Sequence, residues 1–251
     1  MTAPGRPAAA VTAADEMGMT VNYVLVPGAW HGGWCWSRVA PLLRAAGHAV
    51  FTPTLTGVSD RAHTLHPGVG LATHVDDVVR LLDSYDLTDV RLVGHSYAGQ
   101  VVAGVAQRRP GRLALRVHVD GFVPEDGEAA IDMLPSGVAG HYRDSVRDAG
   151  FGWLVPPRSL TTLGVTDPAD VEWLTPRLTP HPWAAYTEPV RTGTAAAAVP
   201  ARYVDCTDWL AVFAPHAERA RGLGWDVRTL ATGHEAMVTA PEGLAELLLA
   251  D

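Results

Sequence analysis

The chain has 251 residues, 47% of them hydrophobic, and a formal net charge of −8. A chain of this length builds one hydrophobic core with an insertion more readily than two complete domains. Because phosphate binding needs clustered cations, the acidic balance argues against nucleic acid as a partner. All basic residues are arginine, so the chain has neither a Schiff-base lysine nor the lysine of a phosphate-binding loop.

The N-terminal segment and the two cysteines bear on where the protein works. We interpret residues 1–20 as a disordered leader, because they lack the apolar core of a signal peptide, and residues 21–251 as a single domain. No apolar run reaches the roughly 18 residues of a membrane span, so we expect no membrane partner. Cys35 and Cys206 lie in apolar stretches, which is typical of buried thiols in a reducing compartment and predicts a cytoplasmic location. A disulfide between them is the alternative.

Strand-like and helix-like patterns alternate along most of the chain. The predicted elements are strand 21–26, helix 34–46 ended by Gly47, strand 48–52, a helix capped by Thr73, strand 89–93, helix 98–108, strand 115–119, strand 201–206, helix 214–222, strand 226–230 and helix 241–249. This alternation predicts an α/β fold, with a mostly parallel sheet of about six strands and helices on both faces. Sites in such sheets form at the carboxyl ends of the strands.

The alternation breaks between about residues 125 and 199. This stretch is rich in proline, tryptophan and histidine and has only short helical patches. Its place in the chain predicts a helical lid insertion over the carboxyl ends of the strands. Trp153, Trp173 and Trp183 either line an apolar pocket under this lid or form a small core within it.

Ser96 is the predicted nucleophile. It lies in Gly94-His95-Ser96-Tyr97-Ala98, between a predicted strand and a predicted helix. This layout is typical of a sharp strand-to-helix turn that exposes a serine hydroxyl, and small neighbours let the strand and the helix approach each other. Ala98 takes the place of the usual second glycine.

A serine hydroxyl needs a base, and the base needs an acid to orient it. His234 follows the last predicted strand, at the same edge of the sheet as Ser96, and we predict that it is the base. Two acids compete for the third position. Asp120 directly ends a strand after an apolar run, whereas Asp208 lies in the loop after Cys206. We favour Asp120, because a half-buried carboxylate at a strand end needs a partner.

Backbone N–H groups stabilise the oxyanion in reactions of this kind. The expected donors are Tyr97, which follows the nucleophile, and Ala29, in the glycine-rich loop 27–34 after the first strand. This loop lacks the Gly-x-Gly-x-x-Gly pattern of a dinucleotide site, and we expect no cofactor. His63 and His66 are spaced by three, but no cysteine or carboxylate cluster accompanies them, and we expect no metal site.

These motifs together resemble the α/β-hydrolase fold, and in particular the small-lid esterase group that includes methyl-salicylate-type esterases and hydroxynitrile lyases. Residues 28–34 resemble the Gly-x-x-His-Gly-Gly-Trp oxyanion loop of this group, Gly94-His95-Ser96 resembles its nucleophile turn, and Gly233-His234 resembles its histidine loop. The resemblance covers roughly residues 21–124 and 201–249. It implies an esterase fold with a serine nucleophile.

The chain departs from that group at three points. Pro27 stands where the family has histidine, and Trp209 stands where the plant members have their aspartate. Asp120-Gly-Phe-Val-Pro instead resembles the acid segment of dehalogenase-like relatives and of bacterial members of the group, which supports Asp120. The lyases use a lysine near the catalytic histidine, and the absence of lysine argues against that activity.

We therefore predict a serine hydrolase that cleaves a small-molecule carboxylic ester or lactone through an acyl-enzyme. The alternative is lyase, cyclisation or decarboxylation chemistry on a natural-product intermediate at the same site, because a fold does not determine a reaction.

Overall fold

The computed structural model describes residues 20–250, so most of the predicted leader lies outside the described residues. The strands are β1 (Asn22–Val26), β2 (Ala49–Phe51), β3 (Val90–His95), β4 (Leu113–Val119), β5 (Leu154–Val155), β6 (His181–Pro182), β7 (Ala201–Cys206) and β8 (Asp226–Leu230). Six of them form one parallel sheet in the order β2-β1-β3-β4-β7-β8, and β5 and β6 form a separate antiparallel pair. The six-stranded parallel sheet confirms the predicted fold class.

The helices cover both faces of this sheet, with α2 packed against α3 and α1 packed against α10. Their bounds are α1 (Ala40–Ala45), α2 (Leu71–Ser84), α3 (Ala98–Arg108), α4 (Ser136–Asp148), α5 (Pro168–Leu174), α6 (Ala184–Thr187), α7 (Thr194–Ala197), α8 (Ala214–Gly222), α9 (Ala236–Thr239) and α10 (Pro241–Leu249). β1 and β3 are buried over nearly their whole length, as expected for parallel strands with helices on both faces.

Two predicted helix starts are wrong. The helix predicted over 34–46 begins at Ala40, after a 3₁₀ turn at Gly33–Trp36. Pro41 lies in its first turn, where a residue without an N–H is tolerated. The next helix begins at Leu71 rather than after a Thr73 cap, and the Ala72 N–H in its first turn donates to the Glu188 carboxylate at 3.1 Å. A distant glutamate therefore satisfies a donor that sequence analysis assigned to a local cap.

The segment 125–199 connects β4 to β7 and contains β5, β6 and α4 to α7. The 13-residue helix α4 is longer than the short helical patches predicted there. Gly137 and Gly140 weaken its sequence signal, and its buried residues Ala139, Tyr142 and Val146 follow a helical spacing. Tertiary burial of that face stabilises a helix that local propensity does not predict.

Both cysteines are buried and free, so the alternative of a disulfide between them is not realised. Among the described residues, the helices are all too short or too polar to cross a lipid bilayer.

Candidate active site

Ser96 lies on the sharp turn between β3 and α3. Its backbone φ is +55°, a left-handed conformation that a serine adopts only when its surroundings hold it there. The Ser96 N–H donates to the Val119 carbonyl at 3.0 Å, and the Ser96 carbonyl accepts from the N–H of Phe122 at 3.2 Å. A Cβ on Gly94 would lie 2.6 Å from a Val102 methyl. The tight packing around the turn thus holds the serine in its strained conformation.

His234 lies in the loop between β8 and α9, and its ring is hydrogen-bonded on both sides. Nε2 is 2.9 Å from the Ser96 Oγ, and Nδ1 is 2.7 Å from a carboxylate oxygen of Asp120. Trp209 and Phe213 pack against the ring at centroid distances of 4.4 and 5.3 Å. With Nδ1 donating to Asp120, the neutral ring presents Nε2 as the acceptor for the serine proton.

Asp120 directly follows β4 and is buried, with a φ of +40°. Burial raises the pKa of its carboxyl group, while hydrogen bonds from the Cys206 backbone N–H and the Trp209 side chain oppose that rise. These donors, together with the His234 Nδ1–H, provide partners for a buried carboxylate that would otherwise be costly.

Asp208 is placed differently. It is exposed, and its carboxylate accepts a hydrogen bond from the Thr207 hydroxyl at 3.3 Å. Its neighbour Trp209, in the slot where the plant esterases have aspartate, contacts both His234 and Asp120. The structure therefore brings Asp120 to the histidine and leaves Asp208 at the surface.

The protonation state of His234 follows from its burial. Desolvation lowers the pKa of the ring to about 4, the nearby Glu235 carboxylate opposes this by raising it, and His31 and Arg158 lower it further. The imidazole is therefore neutral at pH 7 and able to accept a proton.

The glycine-rich loop after β1 lies directly against the serine. A Cβ on Gly28 would lie 3.0 Å from the Ser96 Cβ. Within the described part of the chain, no acceptor is found for the N–H of Ala29 or of Tyr97. Trp30 has a φ of +70°, and its N–H is directed at His181. Tyr97 directly follows Ser96, and Ala29 directly follows Gly28, which lies against the serine. The N–H groups of both predicted oxyanion donors are thus available.

A buried pair that sequence analysis missed joins this loop to the histidine loop. His31 Nδ1 is 2.7 Å from the Ala29 carbonyl, and His31 Nε2 is 3.4 Å from the Glu235 carboxylate. Both side chains are 1% exposed. The pKa of Glu235 is lowered overall, because the attraction of the nearby His31, His95 and His234 outweighs the opposing effect of burial. Glu235, the residue after His234, therefore lies against a histidine of the loop after β1, and no local sequence pattern indicates this contact.

A narrow cavity of about 350 Å³, counting its part open to solvent, reaches Ser96 and His234. Its wall combines core residues with residues of the segment 125–199, namely Trp30, Phe122, Leu134, Val138, Tyr142, Arg158, Leu163, Tyr186, Trp209, Val212 and Phe213. Trp153, Trp173 and Trp183 are absent from this wall. Trp173 instead packs edge-on against Trp34, outside the segment 125–199, and Trp183 stacks on Tyr186 within it. These tryptophans therefore do not line this cavity, and a ring contact within the segment is observed for Trp183.

Three buried side chains at the site carry atoms of the kinds that ligate metal ions. His95, His234 and Glu235 bring possible ligand atoms within 4.8 Å of one another. Both ring nitrogens of His234 are already hydrogen-bonded to Ser96 and Asp120, and His95 Nε2 contacts the His234 carbonyl at 2.9 Å. The donor set therefore fits a proton-transfer site rather than a metal centre.

The model of the alpha/beta hydrolase family matches residues 23–247. The chain belongs to the alpha/beta hydrolase family. This match spans the sheet, the segment 125–199 and all the site residues described above, and it confirms the family resemblance that the motifs indicate.

Two relatives illustrate the similarity in sequence. The carbendazim hydrolyzing esterase of Nocardioides is 39% identical over 241 residues, which cover 91% of this chain and 98% of that protein. Methylesterase 8 of Arabidopsis thaliana is 32% identical over 112 residues, which cover 44% of this chain and 41% of that protein.

A solved extracellular α/β-hydrolase from a Paenibacillus species has the same fold. It superposes with a TM-score of 0.80 and covers 91% of this hydrolase and 98% of its own chain, at 24% sequence identity. At this level of sequence identity, the structural similarity shows only that the two proteins share a fold.

Proposed function

We propose that this carboxylic ester hydrolase cleaves a small-molecule ester or lactone through an acyl-enzyme on Ser96, with His234 as the base and Asp120 as the orienting acid. The observation that carries the proposal is the continuous chain of hydrogen bonds from the Ser96 Oγ through His234 to Asp120, at 2.9 and 2.7 Å, at the end of an apolar cavity. A relative that covers nearly the whole chain is an esterase.

In the first half of the reaction, His234 Nε2 takes the Ser96 proton as Oγ attacks the ester carbonyl carbon. The backbone N–H groups of Ala29 and Tyr97 stabilise the negative charge on the carbonyl oxygen. His234 then gives the proton to the leaving alkoxide, and the alcohol departs. In the second half, His234 takes a proton from the water molecule that attacks the acyl-enzyme. His234 then returns the proton to the Ser96 Oγ as the bond to the acyl carbon breaks and the acid is released. Asp120 holds His234 in the required tautomer throughout.

We also propose that the segment 125–199 is the lid of this site, in a single domain that spans residues 21–251. The support is that Leu134, Val138 and Tyr142 lie in the wall of the cavity together with Ser96. A closed lid excludes bulk water and strengthens the electrostatic interactions beneath it. The two buried free thiols favour the cytoplasm as the working compartment.

Removing the nucleophile tests the proposal. Ser96→Ala should lower kcat for a 4-nitrophenyl butyrate substrate by about 10⁴-fold or more, because no other group can form the acyl-enzyme. Mass spectrometry after treatment with a fluorophosphonate should place the label on Ser96. The control is Ser37→Ala, an exposed serine outside the cavity, which should leave turnover unchanged. Full activity of Ser96→Ala, or turnover without labelling of Ser96, would contradict the acyl-enzyme and favour acid–base chemistry at the same site.

A further inference from the structure

The one cationic side chain among the described residues of the cavity wall is Arg158. It follows β5 in the segment 125–199 and lines the same cavity as Ser96 and His234. The rest of the wall consists of aromatic and aliphatic side chains, without an aspartate or glutamate. Arg158 therefore lines the same cavity as the proposed nucleophile and base.

Arg158 has no carboxylate partner within 4 Å in the described part of the chain. Some arginines of the protein are paired, such as Arg38 with Asp170 at 2.7 Å and Arg202 with Asp226 at 2.7 Å. Among the described residues, Arg158 shares the lack of a carboxylate partner with others such as Arg177. Arg158 instead contacts Tyr142, with its guanidinium carbon 5.6 Å from the centre of the tyrosine ring. Its charge is thus held in place by an aromatic side chain and not neutralised by an acid.

Tyr142 is itself held by its neighbours. Its ring lies 5.1 Å from that of Tyr186 and 6.3 Å from that of Trp30, and all three side chains line the cavity. Arg158 is half-buried. An arginine placed in this way is oriented before the substrate arrives, which lowers the entropic cost of binding a ligand.

The energetic consequence depends on what fills the cavity. A neutral ester would displace water from the guanidinium and leave its N–H donors unpaired, which is costly. A carboxylate on the substrate would replace that water with charge-assisted hydrogen bonds, and the planar guanidinium matches a carboxylate in geometry.

We propose that Arg158 is a specificity-determining residue that binds a carboxylate on the substrate, so that the preferred substrates are esters whose acyl or alcohol half carries a second, ionised carboxyl group. This inference rests on the proposed ester hydrolysis at Ser96. It adds an anion subsite within the cavity and names the class of substrate.

Two pairs of substrates test the proposal. Mono-4-nitrophenyl glutarate is compared with its terminal amide, and 3-carboxyphenyl butyrate with 3-carbamoylphenyl butyrate, so that each pair differs only in charge. We expect kcat/KM of the protein to be about 10- to 100-fold higher for the carboxylate in at least one pair. Arg158→Gln should abolish that preference and leave the amides within about threefold, and Arg158→Lys should retain part of it.

The matched control is Arg177→Gln, an exposed arginine in the same segment that contacts the ring of Trp173 and lies outside the cavity. It should leave the preference unchanged. A protein that does not prefer either carboxylate, or an Arg158→Gln variant that keeps the preference or loses activity equally on both members of a pair, would overturn the anion subsite. Added salt gives a test that needs no variant, since screening should selectively lower kcat/KM for the preferred carboxylate.

Failure of this inference is distinguishable from failure of the proposed function. If Ser96→Ala hydrolyses the amide-bearing esters as well as the unaltered protein does, the acyl-enzyme on Ser96 is wrong. If Ser96→Ala is inactive but Arg158→Gln keeps the carboxylate preference of the unaltered protein, only the anion subsite is wrong.

Discussion

Asp120 is the residue on which the orientation of His234 depends. A carboxylate oxygen of Asp120 lies 2.7 Å from His234 Nδ1. The carboxylate is buried in the core, where a charge without such a partner would be costly. The ring has a second set of contacts in Trp209 and Phe213, so its position does not rest on the carboxylate alone. As the proposed acid, Asp120 would fix the tautomer of His234 and stabilise the imidazolium that forms in the proposed reaction.

Replacing the acid separates the two candidates that the sequence offers. Asp120→Asn should lower kcat by about 10³- to 10⁴-fold, because the amide can favour the wrong tautomer of His234 while keeping the shape of the side chain. Asp208→Asn removes the same charge at an exposed position and should leave kcat within about twofold. Steady-state kinetics on one chromogenic ester checks both variants. A large loss in Asp208→Asn together with an active Asp120→Asn would reverse the assignment.

At the scale of single residues, the sequence identified the candidate site residues that lie in a motif or follow a predicted strand. Ser96, His234 and Asp120 each lie at a predicted strand end, and the carboxyl ends of parallel strands share one edge of the sheet. His31 with Glu235, and Arg158, could not be found in this way. Their partners lie far away in sequence, and only the folded chain brings a loop after β1 against a loop after β8.

At the scale of elements, the turn between β3 and α3 depends on small residues. Gly99 lies in the first turn of α3, where a Cβ would clash with the Phe122 carbonyl in the loop after β4. That loop also carries Asp120, and its Phe122 N–H donates a hydrogen bond to the Ser96 carbonyl. The close approach of helix and loop thus holds the serine and the acid in a common framework.

Gly99→Ala should lower the free energy of unfolding by about 2 kcal/mol or more, because a backbone carbonyl cannot move aside cheaply. The matched control is Gly140→Ala in α4, where an added Cβ meets no atom within 4 Å. That change should raise stability by roughly 0.5–1 kcal/mol, since alanine favours a helix over glycine. Urea denaturation of both variants measures the effects. A neutral Gly99→Ala would show that the contact is not under strain.

The predicted elements differ from the observed ones mainly where a tertiary contact determines whether a helix forms or where it begins. The four elements predicted from residue 201 onward, β7, α8, β8 and α10, have the predicted bounds, whereas the short helix α9 was not predicted. α2 begins at Leu71 because Glu188 satisfies a backbone donor in its first turn, and α4 forms because one face is buried.

At the scale of the whole molecule, buried histidines determine the response to acid. Burial lowers the pKa of His74, His216 and His234 to about 4 and that of His95 and His118 to about 3. These rings stay neutral in the folded chain, whereas in the unfolded chain they take up protons below a pKa of about 6.5. The unfolded state therefore binds more protons between about pH 6.5 and pH 4, and stability must fall as the pH falls through that range.

The free energy of unfolding should thus drop by several kcal/mol between pH 7.5 and pH 5.5, at up to about 1.4 kcal/mol per pH unit for each such histidine. His216→Gln retains an acceptor for the Val123 N–H and should reduce the drop by about 1 kcal/mol. Urea denaturation at the two pH values measures it. A free energy of unfolding that is equal at pH 7.5 and pH 5.5 would contradict the burial argument.

The sequence by itself determined the fold class, the order of strands and helices, and the residue types of a serine hydrolase, because periodicity and strand-end motifs are local properties of the chain. The tertiary structure decided which aspartate meets His234, how Glu235 reaches the oxyanion loop, and which side chains of the segment 125–199 face Ser96. Each of these is a contact between residues distant in sequence, and its geometry follows from packing across the sheet edge, which no local pattern encodes.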